Sequence, residues 1–404
     1  MGYNHAFVAG NGFMKKLGVA DLEVKGRRVF VRVDFNVPLE SGVVGDETRI
    51  RETLPTLRLL IERGAKLVVA SHLGRPKGKP MAELSLAPVG ERLSSLLGRP
   101  VKFVGEIAGP SVDEAVGKLV EGDLFLLENL RFDPGEEAND PLFAKKLAST
   151  AEIYVNDAFG AAHRAHASTE GMVKHFRLAA AGLLMEKELH YLGMALSSPP
   201  RPFVGLLGGA KVSDKIDVVR SLLSKVDRLL IGGGMAYTFV RAKGLPTGKS
   251  LVEEDKIELA RELLSEGGAK LGLPQDHVVA SRFDASAETR TLPIGEIPDG
   301  WMGLDIGPAT VAAYGEQIRK SKLVVWNGPM GVFEMEPFAN GTVKLAEIVA
   351  ESDATSIVGG GDSVAAVGRA GVADRITHVS TGGGASLEFL AGEKLPGVEV
   401  LTDA

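Results

Sequence analysis

The sequence has no cysteine, which excludes thiol catalysis, iron–sulfur clusters and cysteine-ligated zinc. It also has no run near the roughly 18 consecutive apolar residues that a membrane span needs. The opening stretch, MGYNHAFVAGNGFMKKLG, lacks the basic start and apolar run of a secretion signal. A cytoplasmic location is the default expectation, and the missing cysteine agrees with it. Positive charge is not in excess either. The formal net charge of −6 argues against non-specific nucleic-acid binding and leaves small molecules as the expected partners.

Hydrophobic residues make up 45% and charged residues 24%, the balance of a folded globular chain. At 404 residues the chain exceeds one ordinary core, so two domains are expected. Glycine is over-represented: 50 residues, against the usual share of roughly 7%. The glycines cluster at 208–209, 232–234, 359–361 and 382–384. Clusters of this kind mark places where backbone approaches a ligand closely.

Short β-branched runs alternate with amphipathic stretches from end to end. Arg28–Val33, Lys66–Ala70, Leu124–Leu127 and residues 152–156 read as strands in the first half. In the second half 202–207, Arg228–Ile231, 277–280, 322–326 and 355–358 read likewise. Helical patterns run over 48–63, with Asp46 or Thr48 as cap and Gly64 as stop, and from Ser85 to just before Gly98. The alternation predicts α/β architecture: two Rossmann-like domains, each a parallel sheet flanked by helices. A helical pattern over 185–196 runs into SSPPRP at 197–202, which cannot continue a helix. The expected organisation is an N-terminal domain over 1–184, a connecting helix and linker over 185–200, and a C-terminal domain over 201–385. A terminal segment, 386–404, is expected to return to the first domain.

In open parallel sheets, ligands bind beyond the carboxyl ends of the strands. In the first half those ends are followed by DFNVP (34–38), SHLGRP (71–76), ENLRF (128–132) and DAFGAAHRAH (157–166). His72, Arg75, Arg131, His163 and Arg164 are thereby directed to one sheet edge, and Arg49 is a further candidate to join them, since forked guanidiniums suit a small polyanion. In the second half, glycine-rich turns follow the strands. GGAKVSDK (208–215) carries Lys211 and Lys215 four residues apart, and GGGDS (359–363) opens a helix. Backbone amides there fit phosphate, and Asp362 stands either as a Mg²⁺ ligand or as a helix N-cap. GLPTGKS (244–250) has only three residues between its glycines, one short of a Walker loop. No glycine cluster completes G-x-G-x-x-G with an acidic partner, which disfavours a nicotinamide-dependent dehydrogenase.

Taken together, VRVDFNVP (31–38), SHLGRP (71–76), ENLRF (128–132), NDAFG (156–160), HRAH (163–166), GGAKV (208–212), VWNGPMGVFE (325–334), GGDS (360–363) and STGGGAS (380–386) resemble the motifs of phosphoglycerate kinases, in family order. The resemblance runs from about Asp21 to the C-terminus. It implies reversible, Mg²⁺-dependent phosphoryl transfer between 1,3-bisphosphoglycerate and ADP, giving 3-phosphoglycerate and ATP, by a monomer. It implies a 3-phosphoglycerate site of Asp34, Asn36, Arg49, His72, Arg75, Arg131 and Arg164. It implies a nucleotide site of Gly209, Ala210, Lys211, Lys215, Gly232, Gly233, Asn327, Glu334, Gly360, Gly361, Asp362 and Ser363, with Glu334 on the ribose and Asp362 on the metal. Arg49 and Lys211 would stabilise the transferred group, assisted by the amides of Gly361 and Gly384. Hinge-bending closure is expected, with the helix near 185–196 and the Ser380-Thr381 segment as hinges. Residues 1–13 precede the usual family start, making Met14 a candidate natural start. A non-enzymatic nucleotide-sensing protein on the same fold would have no need to keep Arg49, Lys211 and Asp362.

Overall fold

The computed structural model describes residues 15–404; the candidate start at Met14 lies outside the described residues. Runs such as RVFVRV at Arg28–Val33 and LFLL at Leu124–Leu127 are buried almost throughout, as strands covered on both faces must be. They assemble into a six-stranded sheet in the order Lys102–Val104, Leu124–Leu127, Lys66–Ala70, Arg28–Val33, Ile153–Asp157, Ala179–Ala181. All pairings in it are parallel. The helix Thr48–Glu62 covers this sheet with Ile50, Leu54, Leu57 and Leu60, a spacing that places all four on one helical face. Asp46 accepts from the Thr48 amide at 2.9 Å and the Thr48 hydroxyl at 2.6 Å. The helix Ala87–Leu97 ends on Gly98 with φ +69°, the left-handed stop that glycine provides without strain.

A second six-stranded parallel sheet has the order Leu271–Gly272, Arg228–Ile231, Phe203–Leu207, Leu323–Asn327, Thr355–Gly359, His378–Val379. Trp326 is fully buried in its core and donates its indole N–H to the Gly328 carbonyl at 2.7 Å. One expected strand lies elsewhere. Residues Asp276–Ala280 pair antiparallel with Thr289–Pro293 and Met302–Ile306 in a separate three-stranded sheet. The segment 281–288 is too short for the crossover that parallel pairing requires.

The chain divides into two compact units. One runs to His190 and includes Lys394–Ala404; the other is Tyr191–Glu393. The division falls inside the helix Leu183–Ser197. Within the first unit the C-terminal residues pair with the N-terminal ones: Leu17 donates to the Thr402 carbonyl and Thr402 to that of Ala179. No helix among the described residues is long and apolar enough to cross a membrane.

Candidate functional site

The parallel order of the first sheet brings the carboxyl ends of Arg28–Val33, Lys66–Ala70, Leu124–Leu127 and Ile153–Asp157 to one edge. The loops leaving those ends carry Asp34, His72, Arg131 and Arg164. Arg49, in the first turn of Thr48–Glu62, donates to Asp34 at 2.8 Å. Asp34 also caps its own turn by accepting the Asn36 amide at 3.1 Å, and Asn36 in turn accepts the Gly74 amide at 2.8 Å. Arg131 is buried, donates to the Gly74 carbonyl at 2.7 Å and lies 3.3 Å from Glu137. Arg164 shares a 3.0 Å contact with the His163 ring. Arg75 is exposed and makes no hydrogen bond or ion pair among the described residues.

His72 is the centre of this positive field. Burial, then the nearby guanidiniums of Arg32, Arg131, Arg49 and Arg164, hold it well below the ordinary histidine range, so the ring is neutral at physiological pH. Arg131 feels the same crowding: burial is the first cause and lowers it to about 10, with Arg164 and Arg32 adding to the drop and Glu137 opposing it. Asp34 and Glu137 offset only part of this positive charge, and so many cations at one edge are costly unless an anion is to be received there.

In the second unit, Lys215 is the best-held cation. It donates to the side-chain oxygen of Asn327 at 2.6 Å and to the Asn327 carbonyl at 3.1 Å. Burial lowers it to about 8, while Asp362 and Asp214 pull in the other direction. Asn327 also donates to the Gly359 carbonyl at 2.9 Å, and the Gly328 amide donates to Ser363 at 2.5 Å. These bonds tie two neighbouring strand ends to the start of the helix Gly361–Arg369, whose N-cap, Gly360, has φ +90°. Lys211 and Glu334 are exposed on their loops, and Gly384 opens the helix Gly384–Leu390. No hydrogen bond among the described residues joins Lys211 or Glu334 to the Lys215–Asn327 cluster.

The glycines fall into two classes, a distinction that clustering alone does not reveal. A Cβ on Gly208, Gly233 or Gly328 would collide with facing backbone: the Pro329 carbonyl, the Gly209 backbone and the Gly208 carbonyl respectively. These glycines let strand-end loops pack on one another. Gly361 has nothing within 4 Å of such a Cβ, and its surroundings are open to a ligand.

Among the described residues no three His, Asp or Glu side chains group as a metal cage. Asp362 is a single exposed carboxylate beside this open turn. That donor set fits Mg²⁺, which is held by one or two carboxylates together with phosphates and waters.

Several residues that organise the site carry no phosphate-binding signal in the sequence. Buried Asn129 bridges two loops, donating to the carbonyls of Leu73 and Leu84 at 2.7 and 2.9 Å and accepting the amides of Leu73 and Arg131 at 3.1 Å. Arg32, Glu136 and Ser168 are also fully buried. A charged residue inside the apolar run RVFVRV is the one visible hint. Leu251, unusually exposed for its size, lies beside Gly234 and offers an apolar surface next to the glycine turns.

The model of the phosphoglycerate kinase family matches residues 19–393. A phosphoglycerate kinase of Moorella thermoacetica is 59% identical over 393 residues, covering 96% of this chain and all of the relative. One of Solibacter usitatus has the same identity and coverage. Among solved structures, phosphoglycerate kinase from Coxiella burnetii superposes with a TM-score of 0.88 at 40% identity, over 95% of this chain and 98% of that one. The enzyme from Pyrococcus horikoshii gives 0.84 at 35%, with the same coverage.

Proposed function

The chain belongs to the phosphoglycerate kinase family, and from that premise we propose how its own residues divide the reaction. The first unit binds 3-phosphoglycerate through Asp34, Asn36, Arg49, His72, Arg75, Arg131 and Arg164. The second binds ADP or ATP through Gly209, Ala210, Lys211, Lys215, Gly232, Gly233, Asn327, Glu334 and 360–363. The observation that carries this division is the field of four guanidiniums around His72, set against an open helix start beside Lys215 and Asp362 in the other unit.

In the direction of 1,3-bisphosphoglycerate, a carboxylate oxygen of the acid attacks the γ-phosphorus of ATP and ADP departs. That carboxylate is already ionised at neutral pH, so the step needs no general base. Catalysis rests on in-line positioning and on stabilising charge in the transferred group. Arg49 and Lys211 take that role, with the amides of Gly361 and Gly384. Mg²⁺, when bound, neutralises nucleotide phosphate charge, and Asp362 is its protein ligand. Transfer also requires hinge-bending closure that excludes water; the helix Leu183–Ser197 and the Ser380-Thr381 segment are the hinges. The enzyme acts as a monomer in the cytoplasm, on small molecules rather than nucleic acid, a choice of partner that the chain's negative charge supports.

The test is a coupled assay with 3-phosphoglycerate and Mg-ATP, following 1,3-bisphosphoglycerate through NADH oxidation by glyceraldehyde-3-phosphate dehydrogenase. Turnover that requires both substrates and Mg²⁺ is expected. Nucleotide binding without turnover would overturn the assignment.

A further inference from the structure

Behind the basic edge runs a buried chain of hydrogen bonds. Both oxygens of the Glu136 carboxylate accept from Ser168: Oε1 from the hydroxyl at 2.5 Å and Oε2 from the amide at 2.9 Å. The Ser168 hydroxyl, whose one hydrogen bond as donor goes to Glu136, accepts Arg32 Nε at 2.8 Å. The Ser168 carbonyl is held in turn by the Tyr154 hydroxyl at 2.9 Å. Arg32 Nη1 donates to the Val33 carbonyl, and Nη2 lies 3.1 Å from Nδ1 of His72. Glu136, Ser168 and Arg32 are each at most 1% exposed.

The direction of the last bond follows from chemistry. A guanidinium has five N–H donors and no acceptor, so His72 Nδ1 must accept from Arg32. A neutral imidazole that accepts at Nδ1 carries its proton on Nε2. His72 Nε2 makes no hydrogen bond among the described residues. Each of the three Arg32 nitrogens donates to a protein acceptor, and His72 is the one of those acceptors that also faces the basic edge.

We propose that Glu136 and Ser168 are positioning residues that fix Arg32, and that Arg32 locks His72 in the Nε2-protonated tautomer, making it a neutral hydrogen-bond donor to the bound acid. The last clause rests on the acid site proposed above; the tautomer does not. The neutral state agrees with the burial and guanidinium field around the ring. A neutral donor suits this position, because the four surrounding arginines already supply charge and a further cation among them would be repelled.

The test is a two-bond ¹H–¹⁵N spectrum of the ¹⁵N-labelled enzyme without substrate, with His72→Gln used to assign the ring. The expected pattern is a non-protonated Nδ1 and a protonated Nε2, unchanged from pH 6 to pH 8. An Nδ1-protonated ring, or one that titrates in that range, would overturn the proposal. Ser168→Ala is expected to mix the two tautomers and to raise KM for 3-phosphoglycerate about tenfold with kcat nearly retained. Ser168→Thr, which keeps the hydroxyl, is expected to restore both. Unchanged spectrum and KM in Ser168→Ala would also overturn it. If the wild-type spectrum is as expected but the wild-type protein shows no turnover with 3-phosphoglycerate, the acid-site reading fails and the tautomer assignment stands.

Discussion

Among the described residues Lys215 Nζ donates hydrogen bonds only to Asn327, at 2.6 Å to its side-chain oxygen and 3.1 Å to its carbonyl. Both acceptors are neutral, and burial lowers the ammonium to about 8 from 10.5. Between those two values the folded protein has released the proton while the unfolded chain keeps it. The unfolded state then binds more protons, so this residue's contribution to stability rises with pH across that window. Nucleotide binding has the opposite sign, because phosphate favours the charged form. Affinity for ADP is predicted to weaken as pH rises above about 8, with proton uptake on binding. Calorimetry at pH 8.5 in buffers of different ionisation enthalpy measures the uptake, and it should vanish in Lys215→Met.

Gly328 and Gly361 should answer alanine differently. Gly328 has φ +92° and its Cβ would strike the Gly208 carbonyl and the Lys215 ammonium. Gly328→Ala is predicted to cost more than about 2 kcal/mol by urea unfolding. Gly361→Ala should change stability by less than about 0.5 kcal/mol, because nothing lies within 4 Å of the new methyl. Its effect should appear in KM for ATP. Equal losses of stability in both would remove the distinction between packing and ligand-facing glycines.

Asp157 should set part of the stability–pH profile. Buried at a strand end, it accepts the amides of Leu184 and Met185 at 2.9 and 3.3 Å, and burial raises its carboxyl to about 7 from 3.8. The folded state therefore binds more protons than the unfolded state between those values. The protonated carboxyl's contribution is complete below about 4 and declines as pH rises through 7. Asp157→Asn keeps an acceptor for the helix amides and should flatten this part of the profile. Asp157→Ala should cost about 1–2 kcal/mol, as the loss of a helix cap does. Urea unfolding at pH 5 and pH 8 compares the three proteins.

Magnesium dependence should trace to one side chain. Turnover is predicted to cease on chelation and to return with added Mg²⁺. Asp362→Asn should raise the Mg²⁺ concentration for half-maximal rate by about tenfold or more, with the fold unchanged by circular dichroism. An unaltered Mg²⁺ requirement would exclude Asp362 as ligand.

The sequence carried the main strands because their apolar runs are long and stop at polar turns, as RVFVRV before Asp34 does. It did not carry Lys102–Val104, Ala179–Ala181 or His378–Val379, which are two or three residues long and too short for periodicity to register. The basic edge was legible because Arg75, Arg131 and Arg164 each follow a strand of the sheet, while Arg49 stands in the first turn of a helix. The support behind it was not: Asn129, Ser168 and Glu136 act through buried hydrogen bonds between loops, and such pairings leave no local spacing to read. Clustered glycines announced the second site, but only facing atoms separate Gly328 from Gly361.

Steady-state kinetics of Arg164→Ala and Lys215→Met test the divided site most directly. The account predicts that Arg164→Ala raises KM for 3-phosphoglycerate at least about tenfold and leaves KM for ATP within about twofold, with Lys215→Met doing the reverse. If either substitution weakened both substrates equally, or Lys215→Met weakened the acid alone, the division of substrates between the two units would be contradicted.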